Sequence, residues 1–267
     1  MGRKIGAIRP GDCRERRYRS RVREGGGIGF RVAVQETDLF IRADRRLERE
    51  ARDAILAVRG PLEAYIRRHP DFLHALEPWR PPDIAPAIVL EMAEAGRRSG
   101  VGPMAAVAGT VAAGVGMRLL EFSEEVIVEN GGDVFLRTRH PATVALFAGE
   151  SPLSLRVGIQ IDPAGETMAI CTSSGTVGHS LSRGKADAAC VVARSASLAD
   201  AAATALGNRI RGPGDIDAGM EWARSLEEVL GVMIVVGDRI GVWGAVDLVP
   251  LRPPKAEKKL EPRPRNR

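Results

Sequence analysis

The chain has 267 residues, 44% of them hydrophobic and 27% charged, ample for a buried core and ordinary for a globular protein. Aromatic residues are only 4%, which argues against stacking platforms for single-stranded nucleic acid. The net charge of +5 is concentrated in Arg14–Arg23 and Lys255–Arg267, with no groove-reading motif beside it, which argues against a nucleic-acid partner.

In chain order, Arg17–Val22, Ile28–Gln35 and Leu39–Arg42 read as strands. GGGIGF at Gly25–Phe30 lacks phosphate-loop spacing and a following helix, and reads as a hairpin tip. Arg45–Arg68 has a helical apolar stripe (Leu47, Ala51, Ala54, Ile55, Val58), with a break expected at Gly60–Pro61. After the Pro-rich connection Pro78–Pro86 come helices over Ala87–Arg98 and Pro103–Leu120, the second apolar nearly all round and therefore buried. The period then switches toward two. Val126–Val128, Val134–Thr138, Val144–Phe147, Leu155–Ile161, Met168–Cys171 and Ala186–Ala193 are strand candidates. Ser197–Arg211 is a helix with Ser197 as its N-cap, Gly219–Leu230 another, and Val232–Val236 with Ile240–Val246 a final hairpin turned at Gly237–Asp238. This order implies an α+β layered fold, with residues 1–252 as one domain and 253–267 as a basic tail.

The run Val101–Met117 is rich in Gly and Ala and too weakly hydrophobic to span a bilayer, and the basic start carries no secretory apolar region. Three scattered cysteines, Cys13, Cys171 and Cys190, give no disulfide framework. Together these imply a cytoplasmic protein without a membrane partner.

Two segments carry chemistry. In SLADAAATALGN, Asp200 and Thr204 are one helical turn apart, stacking a carboxylate over a hydroxyl, two hard oxygen donors that suit one end of a Mg²⁺ ion. Leu198, Ala202 and Leu206 form the opposite, packed face. In CTSSGTVGHS, Thr172, Ser173, Ser174, Gly175 and Thr176 have the small, hydroxyl-rich composition that lets backbone N–H groups wrap a phosphate. His179 beside Ser180 offers a general base or phosphate contact, while Cys171 at a strand end is expected to be buried and inert. Arg183 and Lys185 flank the loop, and His69, His74, His140 and His179 form no metal pattern. Asn130, Gly131, Gly132 and Asp133 make a hairpin turn that needs positive φ and, without side chains, lets a flat ring or diphosphate lie against the backbone.

With these motifs the chain resembles the ApbE-like superfamily, most closely an uncharacterised branch of it, from about Gly102 to Val246. GPMAAVAGTVA at Gly102–Ala112 is similar to the small-residue helix before the flavin site. ENGGD at Glu129–Asp133 is similar to the Asn-Gly-Gly turn, CTSSG at Cys171–Gly175 to the Thr-Ser-Gly loop, and LADAAATAL at Leu198–Leu206 to the Mg²⁺-binding segment. The resemblance implies an ApbE-like (T-fold-like) fold of antiparallel sheets packed against helices. It implies Mg²⁺ at Asp200 and Thr204, FAD as ligand, and FMN transfer to a hydroxyl of a protein acceptor; a homodimer is compatible with it. Two elements of the transferases are absent: the lysine and acidic residue of the small-residue helix, and the His-x-x-Asp-Pro element, where GHSLSRG stands. The alternative is therefore a relative that kept the scaffold for another planar phosphorylated ligand, of purine or pterin type.

Overall fold

The computed structural model describes residues 27–82, 84–175 and 184–251. The expected strand Arg17–Val22, the loop residues Thr176, His179, Ser180 and Arg183, and the basic tail lie outside them.

The chain opens with a hairpin, β1 (Ile28–Val34) and β2 (Thr37–Ala43), followed by α1 (Glu48–Arg68), the short α2 (Asp71–His74), α3 (Ala87–Ser99) and, after a 3-10 turn at Pro103–Ala106, α4 (Val107–Leu119). Strands β3 (Val126–Asn130), β4 (Asp133–Arg137), β5 (Ala142–Ala145), β6 (Val157–Ile161), β7 (Thr167–Ser173) and β8 (Ala188–Ala193) come next. Then follow α5 (Ala196–Arg209), α6 (Ile216–Arg224) and strands β9 (Val229–Val236), β10 (Arg239–Gly244) and β11 (Asp247–Pro250). Eight strands form one antiparallel sheet in the order β1-β2-β3-β4-β7-β8-β9-β10, and β11-β6-β5 form a second. The fold is α+β, as the sequence implied.

Strand alternation sorts the core into layers. Ala169 and Cys171 of β7, with Ala189, Val191 and Ala193 of β8, pack under Leu198, Ala202 and Leu206 of α5. Their neighbours Met168, Ile170, Cys190 and Val192 face the small sheet through Ile159 and Ile161. A second helix cluster sets Ala54 and Ile55 of α1 and Val111 and Val115 of α4 against Ile41, Val128 and Phe135. An outer cluster of Tyr65, Phe72, Val89 and Met92 closes over Ala201 and Ala205. Helix α5 is thus enclosed by sheet and helices: beyond the expected packed face, its polar side is covered too.

Several expectations need correction. Helix α1 runs unbroken through Gly60–Pro61. Proline leaves the carbonyl four residues back, that of Ala57, without its usual donor. Ala57, Gly60 and Pro61 lie on the solvent side of the helix, where an unbonded carbonyl is least costly, while buried Ile55 and Leu62 anchor the helix on either side. The N-cap of α5 is Ser195, whose Oγ accepts from the Leu198 N–H at 3.2 Å; Ser197 lies inside the first turn, buried against Thr110. The expected helix Gly219–Leu230 stops at Arg224, because Glu228 turns the chain with a left-handed φ of 71° and Val229 already pairs with Ala193. Strand β11 was not anticipated; it pairs residue for residue with β6. Among the described residues no single helix is long and apolar enough to cross a membrane.

Candidate functional site

The site begins at the β3–β4 hairpin. Asn130 pairs with Asp133, leaving Gly131 (φ 71°) and Gly132 (φ 115°) as the two-residue turn, the positive-φ geometry the sequence demanded. The Gly132 N–H donates to Glu129 Oε1 at 3.0 Å, which fixes the turn.

Alternation places Val134 and Leu136 toward the small sheet and Phe135 toward the helices, so Asp133 shares the helix-facing side. The pairing Val134↔Ile170 sets Asp133 beside Cys171 of β7. Asp133 Oδ1 accepts from the Thr172 N–H at 3.2 Å. The Cys171 thiol donates weakly toward the Ala196 carbonyl at 3.7 Å, and Ala196 is one helical turn before Asp200.

The two halves of the site meet at the first turn of α4. That helix has no side-chain cap of its own. Instead, Asp200 Oδ2 accepts from the Gly109 N–H at 2.8 Å, capping α4 from a neighbouring helix. One residue earlier, Asn130 Nδ2 donates to the Ala108 carbonyl at 3.0 Å. A Cβ on Gly109 would lie 2.4 Å from the Ala196 carbonyl oxygen, so glycine there is what brings α4 and α5 close enough for this contact.

Burial pushes the Asp133 carboxyl up to about 7, with the Glu129 charge adding to it, against the Thr172 and Cys171 hydrogen bonds that lower it. Burial, then the charge of Asp133, pushes Asp200 well above the usual carboxylate range, against the hydrogen bonds from Gly109 and Ala108. No cation among the described residues contributes to either. Burial also drives the Cys171 thiol up, which makes it the inert, protonated cysteine expected.

A stability prediction follows. A carboxyl protonated more readily in the folded than in the unfolded state contributes stability at low pH. That stability is lost as pH rises from the unfolded value of 3.8 to about 7. The metal-free protein is therefore expected to lose on the order of 4 kcal/mol over that window. Chemical denaturation at pH 5 and pH 8 should show roughly 3 kcal/mol of this, and Asp133→Asn should reduce the difference to what Asp200 contributes.

Other sequence-predicted residues divide. Ser173 shares the face of Cys171, and its Oγ is buried with no hydrogen-bond partner among the described residues. Thr172 points to the opposite face, its Oγ1 3.0 Å from Cys190 Sγ. The Gly175 N–H donates to the Ala186 carbonyl at 2.9 Å, so this end of the loop is tied to its return segment. Thr204 is one turn beyond Asp200 and half-buried. Asp133 is the residue the sequence reading passed over, having been counted only as part of a turn; its two-residue offset from Phe135 was the available signal. Among the described residues no three His, Cys, Asp or Glu side chains form a metal cluster. Two surface clefts lie elsewhere, one of about 310 Å³ bordered by Arg31, Arg49 and Arg52 and one of about 60 Å³ by Arg42, Asp44 and His140.

This arrangement of sheets and helices is the fold of the ApbE flavin transferases. The apo flavinyl transferase ApbE of Pseudomonas stutzeri matches with a TM-score of 0.52 at 13% identity, over 82% of this chain and 94% of that one. The flavin transferase ApbE of Vibrio cholerae gives 0.50 at 14%, over 83% and 98%. The chain belongs to the family described as AbpE bacteria, whose family model it matches over residues 19–236. A UPF0280 protein of Methanocella arvoryzae is 41% identical over 212 residues, 79% of this chain and 86% of the relative. Another, from Methanothermobacter thermautotrophicus, is 42% identical over 225 residues, 82% and 87%.

Proposed function

We propose that this chain binds a phosphorylated planar ligand, FAD or a close analogue, together with Mg²⁺, and passes FMN to a protein hydroxyl. The observation that carries the reading is the grip on the first turn of α4. The Asn130–Asp133 hairpin holds it at Ala108 and Asp200 holds it at Gly109, so three segments meet beside Asp133 and Asp200, to which no cation among the described residues contributes. That deficit fits a bound divalent ion, with Asp200 and Thr204 as the residues to hold it. Mg²⁺ there would neutralise phosphate charge.

The chain's own groups do the rest. The side-chain-free Gly131–Gly132 turn admits a flat ring or diphosphate to the backbone, and the unpartnered Ser173 hydroxyl is available to a phosphate oxygen. In the transfer, the acceptor hydroxyl oxygen attacks the FMN phosphorus, the diphosphate P–O bond breaks and AMP departs. His179 is the residue proposed to take the hydroxyl proton, with Ser180 beside it.

One observation favours a second reading. The first turns of α4, Val107–Val115, carry no charged side chain, which leaves a purine or pterin ligand on the same scaffold. Native mass spectrometry of protein purified without added cofactor separates the two. Co-purified FAD, with saturable quenching of its fluorescence in the presence of Mg²⁺, is the expected result. A bound pterin or purine supports the second reading, and neither ligand with no FAD quenching overturns both.

A further inference from the structure

The Mg²⁺ reading of Asp200 leaves unexplained why a second carboxyl is buried on the same side of the sheet. Asp133 faces the helix layer from the inner end of the glycine hairpin, beside Cys171. Cys171 in turn lies under Ala196, one turn before Asp200. Asp133 thus reaches the Asp200 turn of α5 through Cys171, and its charge adds to the cost of ionising Asp200. Two uncompensated carboxylates in a low-dielectric interior are strongly destabilising unless a positive charge joins them.

A second observation points to a ligand at the same spot. Ser173 is only 7% exposed, its Oγ has no hydrogen-bond partner among the described residues, and it lies two residues beyond Cys171 on the same face. Its strand partner Ala189 belongs to the cluster beneath α5, which confirms the direction in which the side chain projects. An orphaned buried hydroxyl costs about 1–3 kcal/mol unless something serves it.

We propose that Asp133 is a second carboxylate ligand of the divalent cation held by Asp200, with the Ser173 hydroxyl as a further oxygen donor. The inference rests on the Mg²⁺ reading given above and adds to it. Asp200 alone would leave the ion with a net positive charge inside the protein, and Asp133 brings the site to neutrality. It also ties the cation to the hairpin that approaches the ligand, so cation and turn act on one phosphorylated group. The donors are all hard oxygens, the class that selects Mg²⁺ or Mn²⁺ over softer metals.

Mn²⁺ titration of the full chain, followed by electron paramagnetic resonance, tests the assignment without any activity readout. The wild type is expected to bind Mn²⁺, and Asp133→Asn to weaken it by roughly tenfold or more, because affinity follows ligand charge count. If Asp200→Asn loses Mn²⁺ while Asp133→Asn binds it as the wild type does, this assignment is overturned and the Asp200 reading stands. If the wild type binds no Mn²⁺, both fall. Fe²⁺-directed backbone cleavage of the unmutated protein covers the case in which Asp133→Asn does not fold. Cuts beside both Asp133 and Asp200 support the proposal, and cuts beside Asp200 alone overturn it.

Discussion

Gly109→Ala is expected to destabilise the protein by about 2–3 kcal/mol, roughly a 5–10 °C loss in Tm. The added methyl would sit 2.4 Å from the Ala196 carbonyl oxygen and 2.9 Å from Asp200 Cβ. Backbone oxygen cannot rotate away as a flexible side chain does, so α4 and α5 must separate. Alanine's intrinsic advantage over glycine within a helix, about 1 kcal/mol, opposes this and loses. Separation also lengthens the 2.8 Å bond from the Gly109 N–H to Asp200, so cation binding should weaken in the same variant. A thermal melt indistinguishable from wild type would show that the two helices have slack the packing does not reveal. Gly100→Ala is not a suitable control, because Gly100 has a φ of 73°; Gly60→Ala is, since nothing lies within 4 Å of its added Cβ.

The second large effect is at Asp200, where the cap and the proposed cation-ligand role can be separated. Asp200→Ala removes the acceptor for the α4 N-terminus and should cost about 1–2 kcal/mol in metal-free buffer, the range for a lost helix cap. Asp200→Asn keeps an acceptor oxygen for the Gly109 N–H and removes the buried charge, so the metal-free protein should be as stable as wild type or more so. Both variants should lose the stabilisation that added Mg²⁺ gives the wild type. Differential scanning calorimetry with and without Mg²⁺ distinguishes the two roles. A Mg²⁺-induced rise in Tm surviving in Asp200→Asn would remove this residue from the cation site and leave it a helix cap.

The glycine hairpin and α5 were legible in the sequence because each imposes a local demand. Two consecutive glycines between strand-forming residues specify a tight positive-φ turn, and an alanine run with Leu198, Ala202 and Leu206 at four-residue spacing specifies a helix. The errors arose where tertiary contacts overrode local signals. Pro61 reads as a helix break, yet packing at Ile55 and Leu62 carries α1 across it. Both Ser195 and Ser197 suit an N-cap, and only the end of β8 at Ala193 decides between them. Asp200 was legible as a carboxylate one turn from Thr204, but its role as the cap of α4, 91 residues earlier in the chain, was not. Asp133 escaped notice because a turn position conceals the strand face to which it belongs.

Helix α5 is built largely from alanine along its buried surfaces, with Ala199, Ala201, Ala202, Ala203 and Ala205 all at 1% exposure or less. Alanine has no rotamers to freeze, so these positions seat the helix with little side-chain entropy lost. Its position is set by backbone-to-backbone proximity. The carboxylate at Asp200 therefore rides on a rigid rod rather than on a mobile side-chain cushion. On the proposed reading, a visiting ion would find its ligand already oriented, and capture would demand little rearrangement of the protein.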